Sequence, residues 1–177
     1  MLVYNAVIVS QLIYGLESIP LTNQQEQKLD AFQQRGLRAI MKIDPSFISH
    51  ETNLNVFAKA NECISKSKLS IHDFRDIIIS KDLQQAHIKP MSEILALRRS
   101  KLLGHIIRRD NDDLLKQVTI RDMEAVRKPY RRVGRPRLHW MDLTLQETYY
   151  RITRQSFDKN NEDMKIELEN HALARSF

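Results

Sequence analysis

The chain has 177 residues, 42% hydrophobic and 28% charged, which is typical of a folded protein with one core or two small ones. Its single cysteine, Cys63, excludes an intramolecular disulfide and a zinc site built on paired cysteines, and favours a reducing compartment. The net charge of +6 is unevenly distributed along the chain. Residues 98–137 hold 13 Lys or Arg against 5 Asp or Glu, whereas the remaining residues hold 15 against 17. A basic segment in an otherwise neutral chain indicates that a polyanionic partner binds at one place.

Only 4 glycines and 5 prolines interrupt the chain, which predicts an all-α fold, a helical bundle of five to seven helices. Residues 2–15 are expected to form a mostly buried helix that ends at Gly15 in a left-handed cap. This apolar start is not expected to be a signal peptide or membrane span, since no basic residue opens it and Asn5, Ser10 and Gln11 interrupt it.

The next element is an amphipathic helix that begins after Thr22 and ends near Ile43, before Asp44-Pro45. Thr22 and Gln25 have the spacing of a capping box. The predicted packing stripe consists of Leu29, Phe32, Leu37, Ile40 and Met41.

Helical patterns follow at 54–60 and 71–85, and the Ser/Lys-rich stretch ISKSKLS is predicted to separate them. The run at 77–79 is compatible with a strand, but charged flanks and the lack of a partner strand favour a helix.

A further strong helix is predicted after Pro90, with Ser92 as its N-cap. Its apolar side should consist of Ile94, Leu95, Leu102, Leu103, Ile106 and Ile107, and its basic side mainly of Arg98, Arg99, Lys101 and Arg108. The acidic DNDD at 110–113 should end this helix and cap a short one over 114–123.

The chain closes with helical patterns at 138–155 and 161–174, of which the second is polar enough to be peripheral, while Trp140 should belong to a core. We therefore expect a helical bundle in residues 1–120, a basic linker in 121–137 and a C-terminal helical segment in 138–177.

Three segments together resemble the region that follows the catalytic domain of non-LTR (LINE-like) retrotransposon reverse transcriptases. They are YNAVIVSQLIYGLESIPLT followed by EQKLDAFQQRGLRAIMKI, then PMSEILALRRSKLLGHIIRRDNDD, and then RRVGRPRLHWMD. Their order and approximate spacing agree with the family over roughly residues 1–60 and 89–142.

The resemblance implies a thumb-like helical subdomain with a basic linker that binds RNA, DNA or an RNA–DNA hybrid beside a palm domain. The family's palm holds two metal ions on an aromatic-x-Asp-Asp turn, and that part would precede Met1. Asp112-Asp113 does not replace it, because this pair follows a helix end and not an apolar strand. We therefore expect no catalytic residue, metal, cofactor, small-molecule substrate or membrane partner in this chain, and a nuclear or cytoplasmic location.

The basic stretch RKPYRRVGRPR leaves several interpretations open. Gly134-Arg135-Pro136 matches the core of an AT-hook, a minor-groove element, but Val133 stands where the first arginine would be. A looser contact with phosphates, an import signal and a solvated linker use the same residues. As a whole, the chain is expected to be a non-catalytic fragment that binds nucleic acid, an independent DNA-binding protein, or a translated transposon relic without activity.

The predicted nucleic-acid contacts are Arg98, Arg99, Lys101, Arg108, Arg109, Arg127, Lys128, Tyr130, Arg131, Arg132, Arg135 and Arg137. No two histidines have the three- or four-residue spacing of a metal pair, and His105 is expected at the edge of a core. Cys63 is expected to be a small buried hydrophobe.

Overall fold

The computed structural model describes residues 4–69, 88–121, 124–125 and 139–174, and it confirms the all-α prediction. The helices are α1 (Ser10–Ile13), α2 (Asn23–Met41), α3 (Ser46–Ser49), α4 (Asn53–Leu69), α5 (Met91–Ile107), α6 (Leu114–Thr119), α7 (Trp140–Thr153) and α8 (Glu162–Leu173). A π-helical turn (Tyr4–Val9) precedes α1, and a 3-10 turn (Leu16–Ser18) follows it. The two-residue strands β1 (Ile120–Arg121) and β2 (Glu124–Ala125) pair antiparallel. Within these ranges, no helix has the length and apolar character needed to cross a membrane.

The chain forms two compact units, each with its own cluster of buried apolar residues. Unit 1 comprises Met1–Tyr14 and Asn23–Glu93, and unit 2 comprises Gly15–Thr22 and Ile94–Phe177. The predicted organisation into residues 1–120, 121–137 and 138–177 stays a prediction.

The N-terminal segment ends at a left-handed glycine, as predicted. Gly15 has a φ of +77°, a conformation that glycine adopts without the clash of a Cβ atom. Val9 and Ile13 are buried, whereas Val7 and Ile8 are exposed. The prediction of a mostly buried segment was therefore wrong, because only one side of it packs.

Helix α2 has bounds close to the predicted ones, but its buried face differs from the predicted stripe. Leu37 is fully buried, whereas Phe32 and Ile40 remain 48% and 47% exposed. Gln33 and Arg38 are buried beside Leu37 instead. The spacing of apolar residues could not reveal the buried face of α2, because two residues of that face, Gln33 and Arg38, are polar. Both are buried because they make hydrogen bonds to the backbone of other segments.

Arg38 organises the loop that follows α2. Its Nη1 donates to the Asp44 carbonyl at 3.0 Å and its Nη2 donates to the Glu51 carbonyl at 2.7 Å. Weaker contacts join the guanidinium to Ser49 Oγ at 3.3 Å and Asn53 Oδ1 at 3.4 Å. The two Nη groups of one arginine therefore hold this loop against α2 by donating to its carbonyls.

Helix α4 runs through the Ser/Lys-rich stretch that was predicted to end it, so that prediction was wrong. Ser65 Oγ donates to the Asn61 carbonyl at 3.1 Å, one turn earlier, and lysine has a good helix propensity. The core of unit 1 consists of Leu37, Val56, Ala60, Ile64 and Ile88, with Tyr4, Met41, Ile43 and Phe57 packed against it. The helix predicted at 71–85 and the strand alternative at 77–79 lie outside the described residues.

Side chains of α4 and α2 hold the backbone that leads into α5. Asn61 Oδ1 accepts from the Ile88 N–H at 2.7 Å, and its Nδ2 donates to the Ile88 carbonyl at 3.4 Å. Gln33 Nε2 donates to the Lys89 carbonyl at 2.8 Å, while its Oε1 accepts from the Met91 N–H at 2.9 Å. Each amide thus pairs with one donor and one acceptor of the backbone, which explains why Gln33 is buried.

The first turn of α5 is capped from another helix. Asp30 Oδ1 accepts from the Ser92 N–H at 2.9 Å, and Asp30 Oδ2 accepts from Ser92 Oγ at 2.7 Å. Ser92 is the second residue of α5, so its prediction as the N-cap was wrong. The carboxylate of Asp30 performs that role, and its negative charge suits a helix N-terminus.

Unit 2 has a larger core, in which α5, α7 and α8 contribute most residues. The buried members are Leu103, Ile106, Ile107, Ile120, Met141, Leu145, Tyr149, Phe157, Leu168 and Ala172. Both Leu168 and Ala172 belong to α8 and expose no surface, so the prediction of a peripheral last helix was wrong. Trp140 packs against this cluster as predicted, and its indole N–H donates to the Glu17 carbonyl.

The acidic DNDD segment ends α5 and caps α6, as predicted. Asp113 Oδ1 accepts from the N–H groups of Leu115 at 2.8 Å and Lys116 at 3.4 Å. The predicted end of this helix was wrong, because α6 ends at Thr119 and the chain continues into β1.

Candidate nucleic-acid interface

A row of basic residues lies on the exposed face of α5 and the turn after it. We call Arg98, Lys101, His105, Arg108 and Arg109 the basic row. Since residues advance by about 100° around a helix, these five fall within an arc of about 100° and a length of about 16 Å. The opposite face carries Leu103 and Ile107 of the unit 2 core. Helical periodicity therefore separates the cations from the core.

Among the described residues, Arg98 and Lys101 are the two cations of the row that make no hydrogen bond or ion pair. Lys101 is exposed and Arg98 is half-buried. Neither has a hydrogen bond or ion pair within the described ranges of the chain. Both were predicted contacts, and both are placed where a phosphate can reach them.

Arg108 and Arg109 are tied to other parts of unit 2. Arg108 Nη1 donates to the Ala172 carbonyl at 2.8 Å, near the end of α8. Arg109 Nη1 donates to Asp113 Oδ2 at 2.7 Å. The Arg109 hydrogen bond, together with the backbone bonds at the start of α6, lowers the pKa of the Asp113 carboxyl against the opposing effect of desolvation. Both arginines retain further donors, but each has one donor committed within unit 2, and Asp113 partly balances the charge of Arg109.

Arg99 is not on the row, although it was predicted as a contact. It is only 4% exposed, and its guanidinium approaches Glu147 Oε2 at 3.5 Å and the Ile19 carbonyl at 3.4 Å. One residue along a helix turns the side chain by about 100°, which places Arg99 inside unit 2 while Arg98 faces outward. We do not include Arg99 in the surface, because its donors point into the protein.

Two residues of this surface, His105 in the row and Lys116 beside it, were not among the predicted contacts. His105 is exposed, not at the edge of a core, and its Nε2 lies 3.3 Å from Arg109 Nη2. Lys116 Nζ donates to the carbonyls of Ile107 and Arg109, at 2.9 Å each, and so caps the end of α5. The sequence signal for His105 was its spacing of four residues from both Lys101 and Arg109.

The remaining predicted contacts lie in the basic stretch, outside the described residues. They are Arg127, Lys128, Tyr130, Arg131, Arg132, Arg135 and Arg137. Their assignment to nucleic-acid binding therefore stays a prediction from the sequence. Along the chain they follow the basic row, so that the two groups form the one strongly cationic segment, residues 98–137.

Other chemistry finds little support in the described part of the chain. No group of three His, Cys, Asp or Glu side chains there is arranged to hold a metal ion. Cys63 is exposed, so the prediction that it is buried was wrong. A surface depression of about 420 Å³ runs along α8, where Asp163 and Glu167 among its lining residues disfavour an anionic ligand.

Comparisons of the chain with protein-family models, with curated proteins and with solved structures find no match.

Proposed function

We propose that this chain binds nucleic acid without catalysis, as the thumb and linker portion of a non-LTR retrotransposon reverse transcriptase. The observation that carries the proposal is the basic row, in which Arg98 and Lys101 stand on a packed helix with no partner in the described ranges. Phosphate contacts of this kind provide most of the sequence-independent affinity for nucleic acid.

The charge distribution supports a polyanion over other ligands. Residues 98–137 hold 13 Lys or Arg against 5 Asp or Glu, whereas the rest of the chain is slightly acidic. Basic residues that served only to keep the protein soluble would be spread over the whole chain. A site for a small anion would need several buried hydrogen-bond donors around it. An extended row of exposed cations suits an extended polyanion, whose phosphates recur along a strand.

The resemblance of three segments to the retrotransposon family supports the identity of that polyanion. It favours a template–primer duplex of RNA and DNA, with a palm domain as a protein partner, in the nucleus or cytoplasm. A second candidate rests on Gly134-Arg135-Pro136, which matches the centre of a minor-groove element and favours A·T-rich DNA. The two candidates differ in which duplex binds more tightly.

The test is a fluorescence-anisotropy titration with a labelled RNA–DNA hybrid and with A·T-rich duplex DNA, each over a series of salt concentrations. Tighter binding of the hybrid, with an affinity that falls steeply with salt, is the expected result. Tighter binding of the A·T-rich duplex would replace the thumb proposal with the minor-groove one. No binding near physiological salt would refute both, and would favour a relic without activity.

Matched variants locate the contact. With a labelled single strand, Arg98→Ala/Lys101→Ala should reduce the magnitude of the log–log salt slope by about 1.4, which is two phosphate contacts. The control is Lys28→Ala/Arg35→Ala, which removes the same two charges from exposed positions of α2. Equal slopes for the two double variants would show that the row makes no contact.

The basic stretch is tested in the same way. If all its six cations contact a single strand, the slope should approach about −4 from these residues alone. Replacing Arg131, Arg132, Arg135 and Arg137 with alanine should flatten the slope and leave the helical circular dichroism unchanged. An unaltered slope would contradict the assignment of these four residues.

A further inference from the structure

We propose that His105 is a proton-linked contact of the basic row, so that nucleic acid binds together with a proton on its imidazole. This inference rests on the proposed function, because it assigns a role within the same surface. His105 is exposed and lies one turn after Lys101 and one turn before Arg109. A strand that follows the row from Lys101 to the end of α5 passes this side chain.

The bond to Arg109 defines the state of the imidazole before a ligand arrives. Arg109 Nη2 lies 3.3 Å from His105 Nε2. A guanidinium has only donors, so Nε2 accepts this hydrogen bond, and the neutral ring carries its proton on Nδ1. Arg109 Nη1 donates at the same time to Asp113. In this arrangement the ring accepts the first of two linked hydrogen bonds, and the second joins Arg109 to a carboxylate.

A phosphate changes the balance of charge around this ring. Arg109 contacts this ring directly, and it is bonded in turn to Asp113 through its guanidinium and to Lys116 through its carbonyl. Lys101 lies one turn before His105, Arg108, Asp110 and Asp112 follow it in the chain, and His171 precedes the Ala172 carbonyl to which Arg108 donates. Asp113 already pairs with Arg109, and no carboxylate among the described residues is hydrogen-bonded to His105. A phosphate on Lys101 brings a negative charge beside the imidazole, and such a charge favours the protonated form.

Protonation places a donor on both ring nitrogens and adds one cation to the row. The proton goes to Nε2, so the bond from Arg109 Nη2 is released while Arg109 keeps Asp113. The complex then holds one more proton than its separated components. Its affinity must therefore rise as the pH falls through the range in which imidazoles titrate, between about pH 8 and pH 5.

The experiment measures the Kd of the full chain for a labelled oligodeoxythymidylate between about pH 8 and pH 5. This probe is chosen because thymine bases do not gain a proton in that range. The unaltered chain should bind about tenfold more tightly at the lower pH, as linkage to the uptake of one proton allows. The salt slope should become steeper by about 0.7 for the added contact.

Three variants assign the effect. His105→Gln keeps an acceptor for Arg109 and cannot titrate, so it should lose most of the increase in affinity at low pH. His105→Lys carries a permanent charge and should bind tightly at both ends of the range. The control is His50→Asn, an exposed position with a φ of +53° that asparagine tolerates.

The outcomes separate this inference from the proposed function. Binding with the same pH dependence in His105→Gln as in the unaltered chain would refute the role of His105 and leave the proposed function standing. An affinity of the unaltered chain that does not change with pH would also refute the role of His105 and leave the proposed function standing. No binding at any pH would overturn both. Circular dichroism of each variant shows whether α5 remains folded.

Discussion

Replacing Gln33 tests whether a buried amide holds the entry into α5. The change is Gln33→Met, because methionine has a similar length and helix propensity but no donor or strong acceptor. The substitution removes both hydrogen bonds of the amide, to the Lys89 carbonyl at 2.8 Å and from the Met91 N–H at 2.9 Å. The volume of the side chain changes little, so packing contributes little to the result.

The expected loss follows from two opposing terms. Two backbone groups that lose their partners cost about 1–3 kcal/mol each. The buried amide no longer needs to be desolvated, which returns about 1–3 kcal/mol. The net loss of unfolding free energy should therefore be about 2 kcal/mol, in keeping with the complete burial of Gln33.

The measurement is urea denaturation followed by circular dichroism, with hydrogen exchange of the Met91 amide as a local readout. Exchange of that amide should accelerate by roughly 30-fold if about 2 kcal/mol is lost. The control is Gln27→Met, on the exposed side of α2, which should stay within about 0.5 kcal/mol of the unaltered chain. If the two variants were equally stable and the Met91 amide remained protected, the two hydrogen bonds would contribute nothing and the reasoning would fail.

Two further predictions concern a buried cation and a surface carboxylate. Arg38→Lys should destabilise unit 1 by about 1–3 kcal/mol in urea denaturation, because one ammonium group cannot donate to both carbonyls that the guanidinium group joins. The control is Arg35→Lys, at an exposed position, which should leave the stability unchanged. Equal midpoints for the two lysine variants would contradict this role. The pKa of Asp113 is lowered in the folded chain, so its ionised carboxylate stabilises the fold at pH values above the ordinary pKa of an aspartate. This stabilisation is lost as the pH falls through the pKa of Asp113 in the folded chain. Asp113→Asn should therefore be less stable than the unaltered chain above about pH 5, and the difference should shrink below about pH 4. A difference independent of pH would refute it.

Periodicity of apolar residues was sufficient to predict four of the longer helices, but not the end of α4. The patterns behind α2, α5, α7 and α8 all correspond to helices, with ends within a few residues of those expected. Each of these segments is long, and its apolar residues recur at the helical period. Short-range chemistry also succeeded at Gly15 and Asp113, where the required conformation or hydrogen bond involves only neighbouring residues.

Predictions failed where a side chain serves a backbone segment far away in sequence. Gln33 is absent from the predicted packing stripe of α2, which contains apolar residues only, and its partners are 56 and 58 residues away. Ser92 has the composition of an N-cap, but Asp30 supplies the cap from 62 residues away. No local rule contains such information, because the partners become neighbours only after the helices pack.

At the candidate site, too, properties set by neighbouring residues were predicted, whereas properties that depend on tertiary contacts were not. The sequence correctly indicates that the exposed side of α5 is basic, since Arg98 and Lys101 are three residues apart and share a side of the helix. Arg99 was grouped with Arg98 by its charge, although it lies four residues from both Leu95 and Leu103 on the buried side of the helix. The sequence could not show its partner Glu147, a residue of α7 that approaches the Arg99 guanidinium.

The way in which α5 is capped bears on how the basic row would bind. Asp30 and Gln33 satisfy N–H groups of its first turn, and Lys116 satisfies carbonyls at its last turn. A helix with both ends satisfied resists fraying, so Arg98 and Lys101 keep a fixed spacing before any ligand arrives. Binding then costs only the ordering of their side chains and not the ordering of the backbone. For this reason the affinity of the row should depend on the identity of its cations more than on the length of the strand that it contacts.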